Sequence, residues 1–301
     1  MRVGEWTGNI KVEDGMVFKN CLLFPLRVEK EADLNLKTID ELVTEKTIKI
    51  EELRNPTISS VRIRNLSTDP VFLLDGEILA EALQTRVTNT SLIIDGMQDV
   101  VVPVSCVEEH RWSGKSEFTA SGMCSTISLR KELMRSLIKG KSRKFESDQN
   151  RIWAAVQTTL TATGITSPTS SLYDVYKTYE SRGFMPEEEE IAPLLDASGV
   201  ICAINGKVAI MDIFPPRELF KKVAKKLISG YIVEALSAGK GKIDVKMSDV
   251  EAFVDFVMNA HAKKVDSPTR NSFELRFSTE KVIGKAVIYR DSAVHISSFP
   301  N

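Results

Sequence analysis

The sequence VICAINGKVAIM at residues 200–211 contains two apolar, β-branched runs on either side of Asn205-Gly206. Asn-Gly between such runs favours a two-residue turn, because both residues accept the positive φ angles that match the twist of antiparallel strands. This stretch therefore predicts a β-hairpin, and with it an antiparallel sheet in the second half of the chain.

Further strands are predicted on both sides of this hairpin. Apolar or β-branched runs bounded by Asp, Asn, Gly or Pro lie at residues 17–28, 47–53, 58–66, 71–75, 87–94 and 100–107. Three more runs, at 272–277, 282–289 and 293–299, predict an antiparallel meander. The runs between residues 17 and 107 predict that the first third of the chain is rich in strands.

Helical periodicity dominates the middle of the chain. Helices are predicted at 38–44 with Thr38 as the cap, 127–138, 148–162 with a stop at Gly164, 172–181 and 187–195, after Pro215-Pro216, and from Ser248 to about Lys264. Strands and helices do not alternate regularly, so the predicted fold class is α+β: a strand-rich, mainly antiparallel N-terminal part, a helical middle, and a mixed C-terminal part that closes in the meander.

We expect one α+β domain over residues 1–301. The alternative is a strand-rich part, 1–138, and a helical and mixed part, 148–301, joined by the basic segment 139–147.

Composition excludes several classes of protein. A chain with 43% hydrophobic and 27% charged residues has enough apolar material for a core, which excludes a disordered protein. Its formal charge of −1 provides no overall field for nucleic acid or an anionic membrane, so neither partner is expected. Residues 1–10 lack the layout of a secretory signal, and the four cysteines form no C-x-x-C pair. We therefore expect a cytoplasmic protein with reduced thiols.

The polar side chains most able to do chemistry lie between residues 71 and 112. Asp75 and Glu77 flank Gly76, so a turn at this glycine would aim two carboxylates into one cleft. Such a pair suits acid/base catalysis or a divalent cation, because like charges raise the pKa of one member. The alternative is a structural turn in which Asp75 caps local amides.

Anion recognition is predicted for Arg86 and Arg111, since a guanidinium matches phosphate or carboxylate bidentately. Gln84 and Asn89 would extend this lining, although alternation along a strand puts Arg86 and Asn89 on opposite faces. As an alternative, either arginine is a surface or structural ion-pair residue.

Cys106, Glu108, His110 and Trp112 occupy alternate positions, so a continuous strand would present all four on one face. Cys106 is then a candidate thiol for nucleophilic or metal chemistry, and Trp112 a candidate stacking platform. The alternatives are a buried, inert thiol and a core or lid aromatic.

The remaining histidines receive no functional role. His261 is predicted to be partly buried on the apolar face of the helix that starts at Ser248, and His295 lies in the last strand.

Several short segments form a specific combination. They are Leu73-Leu74-Asp75-Gly76-Glu77, 84–90, 103–108 and Arg111-Trp112, followed by Asn205-Gly206, Asp212-Ile213-Phe214, Leu219-Phe220, 226–231 and Glu234-Ala235. The combination covers most of the chain and resembles the uncharacterised family associated with ADP-ribosylglycohydrolases and rhodanese-phosphatases. This resemblance implies a place near NAD and ADP-ribose metabolism and no settled reaction. The chain departs from the family pattern at Ala80-Glu81-Ala82-Leu83, where a glycine and a basic residue are usual, which puts a tight turn and one cationic contact in question.

Two functions follow as expectations. The first is an enzyme acting on a phosphorylated or ADP-ribose/NAD-related small molecule, and the second is a non-catalytic metabolite-binding or interaction module. The predicted site has catalytic Asp75, Glu77 and Glu108, ligand-binding Gln84, Arg86, Asn89, Arg111 and Trp112, and the candidate thiol Cys106, with His110 left outside. The cofactor and any metal are undetermined, with a divalent cation as the candidate. An anionic small molecule is the expected partner, and a homo-oligomer is a further expectation.

Overall fold

The fold is taken from a computed structural model that describes residues 1–140 and 145–301. Residues 141–144 of the basic segment predicted as a join lie outside the described residues. The strands are β1 (Ile10–Val12), β2 (Met16–Phe18), β3 (Cys21–Val28), β4 (Lys37–Thr38), β5 (Ile48–Glu51), β6 (Ser60–Asn65), β7 (Val71–Leu73), β8 (Glu77–Ala80), β9 (Arg86–Thr88), β10 (Leu92–Ile94), β11 (Asp99–Cys106), β12 (Thr119–Cys124), β13 (Gly199–Ile204), β14 (Lys207–Ile213), β15 (Lys263–Asp266), β16 (Ser272–Ser278), β17 (Val282–Tyr289) and β18 (Ser292–Pro300). The helices are α1 (Ile39–Thr44), α2 (Ile127–Lys139), α3 (Gln149–Thr163), α4 (Leu172–Ser181), α5 (Glu188–Ile191), α6 (Arg217–Ser237) and α7 (Met247–Met258), with 3-10 turns at Val3–Glu5 and Ala192–Leu194.

The strands form three sheets. The largest has the order β1-β3-β13-β14-β18-β17-β16-β15, with β2 also paired to β3. A second sheet has the order β12-β8-β9-β11-β6-β5, and a third the order β10-β7-β4. The pairs are antiparallel except β4 with β7, which is parallel. The predicted α+β class is confirmed, and the division of the chain into domains stays a prediction.

Local signals located most elements correctly. The hairpin of β13 and β14 turns at Asn205 and Gly206, whose φ angles are 51° and 79°. The predicted meander is the antiparallel run of β16, β17 and β18. Thr38 caps α1 in a capping box with Glu41, and α3 stops at Gly164 in the left-handed conformation.

Some predicted elements are wrong. Residues 17–28 form two strands, β2 and β3, separated by a turn at residues 19 and 20. Residues 87–94 form two strands in two different sheets, β9 and β10, because the chain crosses between sheets at residues 89–91. The helix predicted from Ser248 to Lys264 ends at Met258, and the chain then enters β15. His261 is consequently exposed and does not lie on an apolar helix face. Sheet pairing of residues 263–266 with β16 overrides the helical pattern there.

Helix α6 lies at the centre of the largest apolar cluster, and most of its residues are buried. It approaches the end of β12 closely at Gly230, where an added Cβ would lie 2.4 Å from the Ser125 carbonyl oxygen. A glycine is therefore required at this position, because the obstacle is backbone. This contact brings α6 against the turn that carries Asp75 and Glu77.

Candidate functional site

A buried ion network surrounds Asp75. Arg130 of α2 bridges two carboxylates: its Nε lies 3.1 Å from Asp75 Oδ2, and its Nη2 lies 2.7 Å from Asp212 Oδ1. Lys285 adds a second cation 3.7 Å from Asp75. Burial raises the pKa of Asp75, but Arg130, Lys285 and His295 outweigh it and hold that pKa well below its usual range. Asp75 is thus an ionised core carboxylate whose charge is balanced by buried cations, and it is 2% exposed.

The turn at Gly76 delivers Asp75 to this network. Gly76 has a φ of 79°, and a Cβ there would lie 2.5 Å from Ser125 Oγ and 2.8 Å from Arg130 Cγ. The glycine therefore satisfies both a backbone conformation and a close packing contact.

Ser91, His295 and Asp212 are in contact one after another, as the serine, histidine and aspartate of a catalytic triad are. Ser91 Oγ lies 2.8 Å from His295 Nδ1, and His295 Nε2 lies 2.9 Å from Asp212 Oδ1. However, Ser91 also donates to Asp75 Oδ1 at 2.9 Å, and the Phe214 ring stacks on the imidazole at 4.3 Å. All three groups are 0% exposed. A serine whose proton is directed to a carboxylate, away from substrate, is part of the core network and not an activated nucleophile.

Glu77 belongs to a separate ion cluster. Its carboxylate contacts the Lys226 ammonium, which also lies 2.5 Å from Asp40 Oδ2. Burial raises the pKa of Glu77, and Lys226 offsets this only in part. Burial lowers the pKa of Lys226, but Glu77 and Asp40 more than reverse the effect and raise it. Lys226 lies in α6 and is 4% exposed.

Lys226 nevertheless reaches a cleft of about 390 Å³. Asp40, Met123 and Met185 also line this cleft, together with Ser229. Through Lys226, the Glu77 cluster therefore reaches a cavity large enough for a small ligand.

Arg86 forms the centre of a third group. It lies directly opposite Cys106 in the β9–β11 pairing, so both side chains share one face. Arg86 Nη1 donates to Gln84 Oε1 at 3.0 Å, and the Cys106 thiol donates to the same oxygen at 3.3 Å. Cys106 is fully buried, and burial raises the pKa of its thiol, which opposes thiolate formation.

The pairing of Arg86 with Glu52 is incomplete. Arg86 Nη2 lies 3.9 Å from Glu52 Oε1, which is too far for a hydrogen bond. Among the residues that the structure describes, Arg86 Nε and Nη2 and both Glu52 oxygens find no hydrogen-bond partner, although their side chains are 0% and 3% exposed. The Leu83 amide approaches the Glu52 carboxylate without reaching hydrogen-bond geometry. Burial lowers the pKa of Arg86 and raises that of Glu52.

Trp112 covers the Arg86 guanidinium, with 5.7 Å between the guanidinium carbon and the ring centroid. The indole is 51% exposed, so it forms the outer wall of the Arg86 group. This cation-π contact links a buried charge to the protein surface.

Glu108 and Arg111 hold the loop that carries Trp112. Arg111 Nε and Nη2 each donate to Glu108 at 2.7 Å, and its Nη1 donates to the carbonyl oxygens of Ala82 and Ser113. Glu108 also accepts hydrogen bonds from Thr85 and Thr169. Although burial raises the pKa of Glu108, these bonds lower it to about 2. Both residues are therefore saturated by internal partners.

The predicted residues do not converge on one pocket. Strand β11 ends at Cys106, so the expected face of four alternating side chains is wrong: Glu108 turns inward to Arg111, and His110 is exposed. Asn89 lies just beyond the end of β9 and makes contacts different from those of Arg86. It donates to the Phe145 carbonyl oxygen at 2.9 Å and accepts from Ser105 at 2.5 Å.

Sequence reasoning missed the partners of these residues: Glu52, Arg130, Asp212, Lys226 and His295. Two of these partners could have been found in the sequence, because each is a charged residue at a position where the pattern expects an apolar one. Arg130 lies at a core position of the apolar stripe of α2, and Asp212 interrupts the apolar run of β14. A charged residue at an apolar position is the pattern that indicates a buried ion pair.

Within the described residues, no group of three or more His, Cys, Asp or Glu side chains is arranged to hold a metal ion. No helix in this part of the chain is long and apolar enough to cross a membrane.

A sequence profile of the ARG and Rhodanese-Phosphatase-superfamily-associated Protein domain matches residues 9–299. The chain belongs to this family. The predicted family is thereby confirmed, and its description associates the domain with the ADP-ribosylglycohydrolase and rhodanese-phosphatase superfamilies. No curated protein and no solved structure matches the chain.

Proposed function

We propose that this member of the family is a non-catalytic module that binds an ADP-ribose- or NAD-related metabolite at Arg86, Glu52 and Trp112. The observation that carries the proposal is the incomplete Arg86–Glu52 pair. Four buried polar atoms without partners are costly, because each has given up its hydration without a hydrogen bond in return. A ligand that accepts from Arg86 and donates to Glu52 would remove this cost.

The chemistry of the pair selects a class of ligand. A planar group with a hydrogen-bond acceptor next to an N–H donor, such as the edge of adenine or a primary carboxamide, complements a guanidinium beside a carboxylate. Such a planar group also stacks on an indole, and Trp112 presents one at the surface. ADP-ribose contains the adenine edge and NAD contains both groups, which agrees with the family's association with ADP-ribosylglycohydrolases.

Binding is favoured over catalysis by the surroundings of the three expected catalytic carboxylates. Asp75 contacts Arg130, Glu77 contacts Lys226, and Glu108 contacts Arg111, and each is at most 4% exposed. Asp75 and Glu108 have lowered pKa values and stay ionised, which makes them unsuited to donate a proton to a substrate. Glu77 is also held in an internal ion pair, but its pKa is raised. In this proposal Glu108 and Arg111 are positioning residues that hold the Trp112 loop.

Calorimetric titration with NAD, ADP-ribose and nicotinamide tests the proposal. We expect saturable binding of NAD or ADP-ribose. Arg86→Lys should weaken it at least about tenfold, because lysine keeps the positive charge but lacks the planar guanidinium with its paired N–H donors. Arg62→Lys on β6 of the same sheet is the matched control, since Arg62 is exposed and pairs with Asp99. Absence of saturable binding for all three compounds, or equal affinity in Arg86→Lys, would refute the proposal.

A second candidate function, an enzyme acting on such a metabolite, is favoured by one observation. Glu77 has a raised pKa and contacts Lys226, which lines the 390 Å³ cleft. This combination is typical of a proton-transfer site. Turnover of ADP-ribose or NAD, with and without divalent cations, that is present in wild type and lost in Glu77→Gln would establish the enzyme. No turnover in wild type under any of these conditions would remove it.

A further inference from the structure

A second cavity, of about 360 Å³, lies between the end of α2 and the strands β15 and β16. Apolar side chains form part of its wall, namely Leu137, Ile138, Val265 and Phe277. The cationic side chains of Lys263 and Arg276 also line it. None of these residues belongs to the Arg86 group, so the cavity is a separate feature of the molecule.

Arg276 is a buried charge, and one of its guanidinium nitrogens lacks a hydrogen-bond partner among the described residues. Its side chain is 7% exposed. Nε donates to Glu274 at 2.6 Å and Nη1 donates to the Leu137 carbonyl oxygen at 2.8 Å. Nη2 is buried and has no hydrogen-bond partner within residues 1–140 and 145–301. The ring of Phe145 packs against the guanidinium at 4.7 Å. The guanidinium is thus held in place with one N–H-bearing nitrogen unoccupied.

Strand pairing places a second cation beside this donor. Lys263 lies directly opposite Arg276 in the antiparallel register of β15 and β16, so the two side chains share one face of the sheet. Lys264 and Asp266, at the alternating positions of β15, also line the cavity, and the Lys264 ammonium lies 4.1 Å from the Phe273 ring centroid. The lining therefore carries three cationic side chains, Lys263, Lys264 and Arg276, against the one carboxylate of Asp266, so its charge favours an anion.

We propose that this cavity binds the phosphate group of a phosphorylated small molecule. The free Nη2 of Arg276 and the ammonium of Lys263 hold the phosphate oxygens, because charge-assisted hydrogen bonds from guanidinium and ammonium groups are strong and directional. The apolar wall formed by Leu137, Ile138 and Phe277 packs against the organic body of the ligand. This site is independent of the one proposed at Arg86.

Phenyl phosphate is the probe, since it combines a phosphate with a small apolar ring, and benzoate is the matched carboxylate. Calorimetric titration of wild type should give saturable binding of phenyl phosphate and weaker binding of benzoate. Lys263→Gln should weaken phenyl phosphate binding about tenfold, as expected for the loss of one charge-assisted contact. Lys49→Gln, which removes an exposed lysine from β5, should leave the affinity unchanged.

Arg276→Lys provides the second variant, with circular dichroism to establish that it folds; if it does not, Lys263→Gln alone decides. Weaker binding in folded Arg276→Lys supports the site. Three results would overturn it: no saturable binding in wild type, unchanged affinity in Lys263→Gln, or benzoate binding as tightly as phenyl phosphate. Arg86→Lys should bind phenyl phosphate like wild type, so failure of one proposed site is distinguishable from failure of the other.

Discussion

The Arg86–Glu52 pair should reduce the stability of the protein. The two charges are 3.9 Å apart, buried, and left with four polar atoms that lack hydrogen bonds among the described residues. Removing each ion from water costs several kcal/mol, and attraction without hydrogen-bond contact does not repay it. The double variant Arg86→Met with Glu52→Leu, which replaces both charges by apolar side chains, is therefore predicted to be more stable than wild type.

The expected magnitude follows from the kind of pair involved. Replacing a buried ion pair by apolar residues is neutral or stabilising by about 1–4 kcal/mol, and the lack of direct hydrogen bonds between Arg86 and Glu52 places this pair in the upper half of that range. Glu52→Leu alone should instead destabilise by about 3–5 kcal/mol, because Arg86 then keeps its charge in the core with Gln84 as its hydrogen-bond acceptor. The sign change between single and double variants is the distinctive result.

Urea denaturation measures both effects as shifts in midpoint at constant slope. The control is the neighbouring Arg64–Glu51 pair, which is partly exposed and makes direct hydrogen bonds of 2.6 to 3.1 Å. Its double replacement, Arg64→Met with Glu51→Leu, should change the free energy of unfolding by less than about 1 kcal/mol. If the Arg86→Met, Glu52→Leu variant is less stable than wild type, the pair is satisfied within the fold and the argument for a ligand there fails.

Three other predictions concern the rest of the network. Glu108 has a pKa lowered from 4.5 to about 2, so its contribution is present above pH 4.5 and lost as the pH falls toward 2; acid unfolding of Glu108→Gln should lack up to about 3 kcal/mol of pH dependence in that window, and an unchanged profile would contradict this. Arg130→Met leaves its two carboxylate partners charged in the core and should lower the free energy of unfolding by about 3–5 kcal/mol in a denaturant titration, where a loss below about 1 kcal/mol would count against the network. Gly164→Ala, at φ 64°, should lower the thermal midpoint by the equivalent of about 1 kcal/mol, whereas Gly140→Ala, at φ −64°, should not; equal effects would show that backbone strain is not the cause.

The sequence by itself determined the features that depend on local interactions. The hairpin at Asn205-Gly206, the cap at Thr38 and the end of α3 at Gly164 were all predictable, because turn geometry and helix capping involve residues within a few positions of one another. The α+β class followed from the order of these elements.

Only the tertiary structure decided which charges meet. Arg86 approaches Glu52 although β11 and β6 separate β9 from β5 in the sheet, and Asp75 meets Asp212 through Arg130 because α2 packs between segments far apart in sequence. The protonation and reactivity of a carboxylate depend on burial and on the nearest cation, and both are set by these long-range contacts. Sequence could therefore identify the polar residues between 71 and 112, but the fold divides them into buried ion clusters and an incompletely paired group at Arg86.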